Sequence, residues 1–334
     1  MINFKKLIKE EKFMSDRKFK KDATKILTRH EKPILHVNDF PGIAQLYNPA
    51  VVKYKDEFIM LVSVVDYAAD GEGTDVGETR IARSKDGINF TLSDDNFIKM
   101  PDKEPFNLAK HFIDNRITKI DDTYYIVTPV MLNGWLAPVG MLGKTTDFTS
   151  YEAISIITAP RNRGCSLFPE KINGMYYKLD RPYDYPSSSS GEIWISESPD
   201  LVHWGNFRPV LHQGYKFWNT VKIGPTPPIK TEKGWLDIIH GVASTACGTY
   251  YYMGAMLLDL NEPWKVIGKT SSYIMMAEKE YELHGNSDNS VFPCTPYADH
   301  ETDTLYVYYG AADRAIGLAT GKISELVDAC IEGI

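Results

Sequence analysis

The sequence has few cysteines and no long hydrophobic run. Its four cysteines (Cys165, Cys247, Cys294 and Cys330) lie far apart and form no CxxC pair, which argues against a zinc site and against a disulfide scaffold. No apolar run reaches the roughly 18 residues of a membrane-spanning helix, and the N-terminus, charged from Lys5 onward, lacks the apolar segment of a secretory signal. These absences predict a cytoplasmic protein with reduced thiols and no membrane partner.

Positive charge is also scarce. The 334 residues contain 37 Lys and Arg against 44 Asp and Glu, which gives a formal net charge of -7. A nucleic-acid-binding protein usually has a basic face, and the only concentration of Lys and Arg runs from Lys5 to Arg29. We interpret that stretch as a helical arm packed on the body, with a binding patch as the alternative, and we expect no nucleic-acid partner. Hydrophobic residues (43%) and aromatic residues (12%) are abundant enough for a sizeable core.

The most informative feature of the sequence is a loose internal repeat of an extended run, a polar turn and aromatic residues. Turn pairs such as Asp-Asp and Asn-Gly between apolar runs predict that each copy begins as a β-hairpin. The five copies read VVKYKDEFIMLVS from Val51, RITKIDDTYYIVTPV from Arg116, FPEKINGMYYKLDR from Phe168, PPIKTEKGWLDIIHG from Pro227 and PYADHETDTLYVYYG from Pro296. Their equivalent anchors are Phe58, Tyr124, Tyr176, Trp235 and Leu305.

A second turn signal closes the first four copies, in ARSKDGINF, GKTTDFTSYE, SESPDLVHWG and LDLNEPWKV, so each copy holds about four strands. Such units repeated five times predict an all-β fold, a five-bladed β-propeller, with a β-sandwich carrying long loops as the alternative. Helical spacing marks Phe4 to Leu27 and, as a short amphipathic helix, Ile323 to Ile331. We therefore expect a short N-terminal helical arm over residues 1–30 and a propeller domain over residues 31–334.

A propeller gathers the inner ends of its blades around one axial pocket, so polar residues beside strand starts are candidate site residues. Asp114 and Arg116 stand two residues apart at the start of the second copy, which predicts side chains on one face of a strand. An ordinary surface ion pair is the alternative. The long inserts Asp66 to Gly77 and Asp184 to Gly191 are expected to form loops over one face of the propeller.

Two arginines, Arg163 and Arg181, flank the hairpin of the third copy and can converge on one spot. Guanidiniums held close together repel unless an anion lies between them, and arginine is suited to bidentate binding of phosphate or carboxylate. The pair therefore indicates an anion site. Ion pairs with Glu170 or Asp184 are the alternative.

Four further candidates come from the last two copies: Lys222 in KIGPTPPI, His240 at a strand end, Tyr251 in GTYYYMGA and Asp313 in YYGAADRA. A structural histidine and core tyrosines are the alternative. The sequence contains no GxSxG or HExxH motif, no Gly-rich phosphate loop before a helix and no calcium-loop spacing. Any chemistry must therefore come from carboxylates, Arg and Lys, and no metal or organic cofactor is expected.

In these same segments the chain resembles glycoside hydrolase family 130, the β-mannoside phosphorylases. The resemblance runs from Asn48 to Asp313 and includes, in family order, YNPAVVKY, DNRITKI (DPR in the family), NRGCSLFPEKINGMYY, LDRP, ISESPDLVHWG, KIGPTPPI, GWLDIIHG, MGAMLLDL, VFPC and YYGAAD. The family fold is a five-bladed propeller, in agreement with the repeat count. The resemblance implies inverting phosphorolysis of a β-mannoside to α-D-mannose 1-phosphate, with inorganic phosphate as co-substrate.

The resemblance also implies residue roles. The single catalytic acid of the family falls on Asp114. Its phosphate-binding positions fall on Arg163 (often Lys in relatives), Arg181, Lys222, His240 and Tyr251, and its sugar-contacting positions fall on Asn48, Arg116 and Asp313. Family members that lack phosphate-binding residues are hydrolases, so this basic set favours a phosphorylase.

Two positions depart from the family pattern, since many relatives carry Arg where this chain has Ser63 and Pro where it has Asn115. The insert DYAADGEGTDVG from Asp66 to Gly77 is also unusual, which leaves sugar recognition beyond the reacting mannose open. The linkage (β-1,4 or β-1,2), the acceptor sugar and a possible homo-oligomer stay open as well. A β-mannoside hydrolase of the same fold and a carbohydrate-binding propeller without turnover are the alternatives.

Overall fold

Each copy of the sequence repeat forms one antiparallel β-sheet. The computed structural model describes residues 22–67, 76–132, 137–183, 190–214, 221–246 and 248–333. Over these ranges the chain forms five sheets of four to six strands. The five anchors each occupy the first or second position of a strand: Phe58, Tyr124, Tyr176, Trp235 and Leu305.

The first half of the chain supplies two complete sheets. It begins with two 3₁₀ turns, Ala23–Lys25 and Val37–Asp39, and two short strands, β1 (Thr28–Arg29) and β2 (Leu35–His36). The first sheet contains β3 (Ile43–Tyr54), β4 (Glu57–Asp66), β5 (Glu78–Ser84) and β6 (Thr91–Asn96). After a 3₁₀ turn at Phe106–Leu108, the second contains β7 (Ala109–Lys110), β8 (Arg116–Ile120), β9 (Thr123–Leu132), β10 (Val139–Thr145) and β11 (Glu152–Ile156).

The second half supplies three sheets and two helices. The third sheet contains β12 (Ser166–Leu167), β13 (Tyr176–Asp180), β14 (Ile193–Ser198) and β15 (Gly205–Leu211). The fourth contains β16 (Lys222–Gly224), β17 (Ile229–Lys230), β18 (Trp235–Thr245), β19 (Gly248–Leu258), β20 (Val266–Lys269) and β21 (Met275–Met276). Helix α1 (Glu280–Leu283), β22 (Val291–Pro293), β23 (Tyr297–Asp299), β24 (Thr304–Ala311), β25 (Ala315–Lys322) and helix α2 (Ile323–Glu332) follow, and β22 to β25 lie in the fifth sheet.

The inner strands are apolar on both faces because each sheet packs between two others. Along β4, Ile59 and Leu61 pack against the second sheet, whereas Met60 and Val62 pack against the fifth. Successive strand residues point to opposite faces, so one continuous apolar run fills two interfaces. Clusters of this kind fill the contacts between all neighbouring sheets around the ring. The predicted all-β, five-bladed propeller is confirmed.

The second turn signal forms the same local structure in four sheets. An aspartate in the turn before the outermost strand accepts hydrogen bonds from the backbone N–H groups two and three residues further along. These residues are Asp86, Asp147, Asp200 and Asp259. Aspartate suits this position because its side chain mimics a backbone turn.

Both ends of the described part of the chain meet at the fifth sheet. Strands β1 and β2 pair with β25, with Thr28 opposite Thr320 and Leu35 opposite Ile316. Residues 28 and 29, assigned from the sequence to the arm, are therefore propeller strand, because their backbone hydrogen bonds are made to β25. Most of the predicted arm, residues 1–21, lies outside the described residues, and a separate arm stays a prediction.

The remaining expectations about long segments have mixed outcomes. Helix α2 confirms the amphipathic helix expected over 323–331. Most of the first predicted insert (68–75) and of the second (184–189) lies outside the described residues. Within the part of the chain that is described, no helix is long and apolar enough to cross a membrane.

Candidate active site

One cavity of about 270 Å³ gathers side chains from all five sheets. Every predicted site residue except Arg116 lines it, namely Asn48, Asp114, Arg163, Arg181, Lys222, His240, Tyr251 and Asp313. A larger groove of about 620 Å³, between the first and second sheets, contains none of them. The chemistry of the side chains therefore places the candidate active site in the smaller cavity.

Three polar residues of the cavity stand in left-handed backbone conformation. Asn48, Asp114 and Asp313 have φ angles of 48°, 55° and 54°, which Asn and Asp adopt more readily than other non-glycine residues. Asn48 lies where the register between β3 and β4 shifts. A Cβ on Gly310 would lie 2.3 Å from Oδ1 of Asn48, so only glycine leaves room for this bulge. The local backbone turns these side chains out of the strand pattern and into the cavity.

Asp114 is the most heavily hydrogen-bonded side chain of the site. Nε and Nη2 of Arg163 donate to its Oδ2, the former at 2.9 Å, and Nδ2 of Asn48 donates to its Oδ1. Its backbone N–H donates to Oγ of Ser63 at 3.0 Å. Burial alone would raise the pKa of Asp114, but the guanidiniums of Arg163 and Arg116 and the Asn48 hydrogen bond outweigh it and lower the pKa to about 2.

Arg163 and Arg181 lie side by side because their segments pair as a short antiparallel ribbon. The backbone N–H of Arg163 donates to the carbonyl of Arg181 at 3.3 Å, and Nε of Arg181 donates to the carbonyl of Arg163 at 2.9 Å. Nη1 of Arg181 is buried and has no hydrogen-bond partner among the described residues. Burial, followed by the charges of Arg163 and Arg116, lowers the pKa of Arg181 to about 10. The pair leaves a buried donor available for an anion.

A buried polar network supports this ribbon from behind. Oδ1 of Asn162 accepts the backbone N–H of Arg181 at 3.0 Å, and its Nδ2 donates to Oδ1 of Asp180 at 3.1 Å. Asp180 also pairs with Lys178, and both side chains are buried. Asp180 precedes Arg181 in the chain, so strand alternation points it away from the cavity. Lys178 balances the charge of Asp180. The positive charge of Arg181 is therefore not neutralised by Asp180 and lies at the cavity.

The fourth sheet contributes Lys222, His240 and Tyr251. Nζ of Lys222 lies 5.3 Å from the centroid of the Tyr251 ring, and the His240 ring lies 4.4 Å from that of Phe292. Gly224 pairs with His240 across the sheet, and a Cβ there would lie 2.3 Å from the imidazole. Glycine at this position therefore leaves room for the histidine ring beside the cavity.

These groups carry the electrostatic signature of crowded positive charge. Burial, followed by Arg181 and Arg163, lowers the pKa of Lys222 to about 7. Burial, followed by Arg181, also holds the pKa of His240 well below its usual value. Within the described residues no carboxylate lies within 4.0 Å of Lys222 or of Arg181. Buried basic groups that lie together without a paired carboxylate indicate a site that an anion completes.

Asp313 supplies the second carboxylate of the cavity, from the turn between β24 and β25. Burial, followed by the negative charge of Asp114, raises its pKa to about 7, and Arg163 opposes the rise. The two carboxyl groups of the cavity thus have widely separated pKa values, as in sites where carboxyl groups take different roles.

Arg116 lies behind the cavity wall and is 1% exposed. Its Nη1 donates to the carbonyl of Asp114 at 2.6 Å and to Sγ of Cys294 at 2.9 Å. The expectation that Asp114 and Arg116 share one strand face is wrong, because β8 begins at Arg116 and Asp114 precedes it in left-handed conformation. A sugar contact by Arg116 stays a prediction that this position does not support.

The two departures from the family pattern are both buried behind Asp114. Oγ of Ser63 accepts the N–H of Asp114, as described above. Nδ2 of Asn115 donates to Oγ1 of Thr79 at 2.8 Å, and its Oδ1 accepts from Oγ1 of Thr128 at 2.6 Å. Both residues are hydrogen-bonded in place and hold the segment that carries Asp114.

The cavity also contains residues that the sequence reasoning missed: Gln45, Tyr47, His111, Ile113, Ser287, Ser290 and Phe292. Nδ1 of His111 accepts the N–H of Gly77 at 3.0 Å, so the neutral ring carries its hydrogen on Nε2 and can donate. The motif HFIDNR places His111 three residues before Asp114, a spacing that could have singled it out. Phe292 belongs to the VFPC motif, but the sequence contains many aromatic residues, and nothing in the motif marks this one as a site residue.

Comparison with known proteins identifies the family. The sequence matches the family described as β-1,4-mannooligosaccharide phosphorylase, glycoside hydrolase family 130, over residues 16–332. It is 33% identical over 312 residues to the β-1,4-mannooligosaccharide phosphorylase of Ruminococcus albus, covering 92% of this chain and 91% of the relative. It is 39% identical over 257 residues to a β-1,2-mannobiose phosphorylase of Listeria innocua, covering 76% of this chain and 69% of the relative.

A solved structure agrees. The β-1,2-mannobiose phosphorylase of Listeria innocua, in complex with β-1,2-mannobiose, superposes with a TM-score of 0.79 at 31% identity, covering 91% of this chain and 99% of that chain. Sequence and fold therefore lead to one assignment: the chain belongs to glycoside hydrolase family 130.

Proposed function

We propose that this protein catalyses the inverting phosphorolysis of a β-mannoside and releases α-D-mannose 1-phosphate. One observation carries the proposal: Asp114 shares its cavity with Arg163, Arg181 and Lys222. Phosphorolysis needs one proton donor and a cationic site for phosphate, and both are present within about 270 Å³. The named activities of the relatives, which act on β-1,4- and β-1,2-linked mannosides, support the substrate class.

In the proposed reaction Asp114 protonates the glycosidic oxygen as the bond to C1 of the mannose breaks. A phosphate oxygen forms the new bond to C1 from the opposite face, which inverts the configuration. An ordinary inverting glycosidase needs a second carboxylate to activate water, whereas phosphate arrives already anionic. One carboxyl group is therefore sufficient for phosphorolysis.

Arg163, Arg181 and Lys222 orient the phosphate in this scheme, with His240 and Tyr251 beside them. Arginine binds phosphate through two parallel N–H groups, and Arg181 has a buried Nη1 without a partner in the described part of the chain. Holding two reactants in line removes much of the entropic barrier to their reaction. The proposed mannose contacts are Asn48 and Asp313. They come from the first and fifth sheets, whereas the cations come from the third and fourth.

Hydrolysis is the second candidate, because the cavity contains a second carboxyl group. Asp313 is buried with a pKa raised to about 7, which is near the optimum for a general base. The cationic set favours phosphorolysis, since water needs no such set. A carbohydrate-binding propeller without turnover is the third candidate, and it needs neither a proton donor nor the arginines.

The test is to incubate the protein with β-1,4-mannobiose and β-1,2-mannobiose, each with and without inorganic phosphate. Phosphorolysis requires phosphate and yields mannose 1-phosphate. Equal release of free mannose with and without phosphate would establish hydrolysis, and its loss in Asp313→Asn would identify the base. Binding of either sugar without any product would establish the third candidate.

We also propose a cytoplasmic location, supported by the free thiols of Cys165, Cys294 and Cys330, which are buried and unlinked. A homo-oligomer stays a prediction from the sequence. Size-exclusion chromatography with light scattering would determine the oligomeric state.

A further inference from the structure

The carboxylate of Asp114 is occupied by hydrogen-bond donors at both oxygens. Nε and Nη2 of Arg163 donate to Oδ2, and Nδ2 of Asn48 donates to Oδ1. The side chain of Asp114 is 4% exposed, so water does not replace these contacts. A hydrogen on Oδ2 would face the two N–H groups of Arg163. The geometry thus fits a carboxylate and not a carboxylic acid.

This arrangement conflicts with the role of a proton donor, because a general acid must carry a hydrogen when it acts. Burial favours the protonated form of Asp114, yet Arg163 and Arg116 together with Asn48 lower its pKa to about 2. At neutral pH the group is therefore ionised as it is held here. Catalysis requires a change that takes Arg163 away from the carboxylate.

The same guanidinium is reachable from the cavity. The side chain of Arg163 is 37% exposed, and its backbone is bonded to Arg181, whose Nη1 lacks a partner among the described residues. Lys222 lines the same cavity. A phosphate dianion carries more charge and more acceptor oxygens than one carboxylate, so it can engage all three cations where Asp114 engages one.

We propose that Arg163 is a latch on the proton donor: it holds Asp114 as a carboxylate until phosphate takes over the guanidinium, and Asp114 then binds the proton that it donates. This inference rests on the proposed function. As the Arg163 hydrogen bonds to Oδ2 break, one proton from solvent forms an O–H bond on Asp114, without oxidation or reduction. That proton later passes to the leaving glycosidic oxygen, and the carboxylate returns to Arg163.

The latch explains why water does not replace phosphate as the nucleophile. Without phosphate Asp114 stays paired with Arg163, so the leaving group receives no proton and its departure is not assisted. The acid becomes competent only when the intended nucleophile is in place. Arg163 would thus determine specificity for phosphate over water, besides binding phosphate.

Other titratable or charged groups face Asp114 from each sheet. They are Tyr47, His111, Arg116, Arg181, Lys222, Tyr251, Cys294 and Asp313. Among them Asp313 is the other carboxyl group, with a pKa raised to about 7 by burial and by Asp114. A test of the latch has to separate these two carboxyl groups.

The test is infrared difference spectroscopy of the full chain at neutral pH, with inorganic phosphate added and no sugar present. A protonated carboxyl group has a C=O stretching band distinct from that of a carboxylate. Phosphate should produce such a band, with a component that is missing in Asp114→Asn and kept in Asp313→Asn. Arg163→Met should show this component before phosphate is added, because the latch is absent.

Two results would overturn the latch: an Asp114 component already present in the wild-type protein before phosphate, or none after it. Should Arg163→Met fail to fold, the wild-type protein and Asp114→Asn still decide the question. Formation of mannose 1-phosphate is measured on the same preparation. Product without a change at Asp114 refutes the latch alone, whereas no product from any β-mannoside refutes the proposed function.

Discussion

The two carboxyl groups of the cavity have different pKa values because they have different neighbours. Asp114 lies among the N–H donors of Arg163 and Asn48, and its pKa is lowered to about 2 against the effect of burial. Asp313 is buried beside the negative charge of Asp114, and its pKa is raised to about 7. At the residue scale the surroundings, and not the residue type, separate the two pKa values.

The first prediction concerns Asp114. Because it is the proposed proton donor, Asp114→Asn should lower the rate of phosphorolysis by about 10²-fold or more, the low end for general acid catalysis. The matched control is Asp122→Asn, since Asp122 is exposed in the turn between β8 and β9. Steady-state kinetics and circular dichroism check both variants. If Asp114→Asn keeps more than half of the wild-type rate, the assignment is wrong.

The second prediction concerns the charge of Lys222, whose pKa is lowered to about 7 by burial, then by Arg181 and Arg163. Below pH 7 the lysine is charged before and after an anion binds. Above pH 7 it must take up a proton on binding, so affinity for sulfate should fall by up to about tenfold per pH unit for one group. Ionisation of Asp313, with its pKa of about 7, acts in the same direction.

Sulfate is the probe because it does not titrate near neutral pH, and calorimetry from pH 6 to pH 9 measures its affinity. Lys222→Met should bind sulfate more weakly and with a flatter pH dependence. A matched control is Lys171→Met, in the turn before β13, which should leave the profile unchanged. An unaltered profile in Lys222→Met would contradict the assignment.

At the scale of elements, one ribbon holds the two arginines of the proposed phosphate site. The segment 161–163 pairs with 181–183, and Asn162 bridges the two strands to the buried Lys178–Asp180 pair. The ribbon and the network behind it fix the distance between the two guanidiniums, because the backbone of each arginine is hydrogen-bonded to the other arginine.

The third prediction tests this support. Asn162→Ala leaves the buried N–H of Arg181 without its acceptor, which typically costs about 1–3 kcal/mol, whereas Asp180 keeps its pairing with Lys178. If this free-energy cost appears as a displaced Arg181 side chain, KM for phosphate should rise by about tenfold or more. KM for the mannoside should stay nearly unchanged.

The control for this experiment is Asn107→Ala, at an exposed position before β7. A rise of both KM values together, with a loss of thermal stability, would indicate a merely structural role for Asn162. Kinetics with each substrate varied in turn distinguishes the two outcomes.

At the scale of the whole molecule, the ring is closed by the pairing of β1 and β2 with β25, and a buried ion pair holds β1 in place. Nε of Arg29 in β1 lies 3.1 Å from Oε1 of Glu282, which is fully buried and also accepts from the hydroxyl of Tyr309 at 2.6 Å. Arg29 further bonds to Glu278 and to the carbonyl of Met276. These contacts fasten the N-terminal strand to the fifth sheet.

The fourth prediction follows from this closure. Arg29→Met leaves the buried carboxylate of Glu282 without its cation, and breaking a buried pair in this way costs about 3–5 kcal/mol. The apparent free energy of unfolding in urea should fall by that amount. Lys25→Met is the control, because its ion pair with Asp22 is exposed and worth at most about 1 kcal/mol. Equal effects of the two substitutions would refute the closure.

Much of this architecture could be predicted from the sequence, because hairpins are local. Turn residues and an anchor such as Tyr124 or Trp235 are close in sequence, and their repetition gave the blade count. The pairing of Thr28 with Thr320 could not be predicted. Two segments far apart in the sequence can pair through their backbones without any recognisable residue pattern in either segment. The place of Arg116 was missed because strand alternation assumes extended backbone, whereas Asp114 has a φ of 55°.

The most direct test of the proposed phosphorolysis is whether bond cleavage requires phosphate, with proton nuclear magnetic resonance used to identify the anomeric product. We expect a β-linked mannobiose to be cleaved only when phosphate is present. Each broken bond should yield one α-mannose 1-phosphate, because phosphate attacks from the face opposite the leaving group. Cleavage at the same rate without phosphate, with free mannose as the product, would contradict the proposed phosphorolysis.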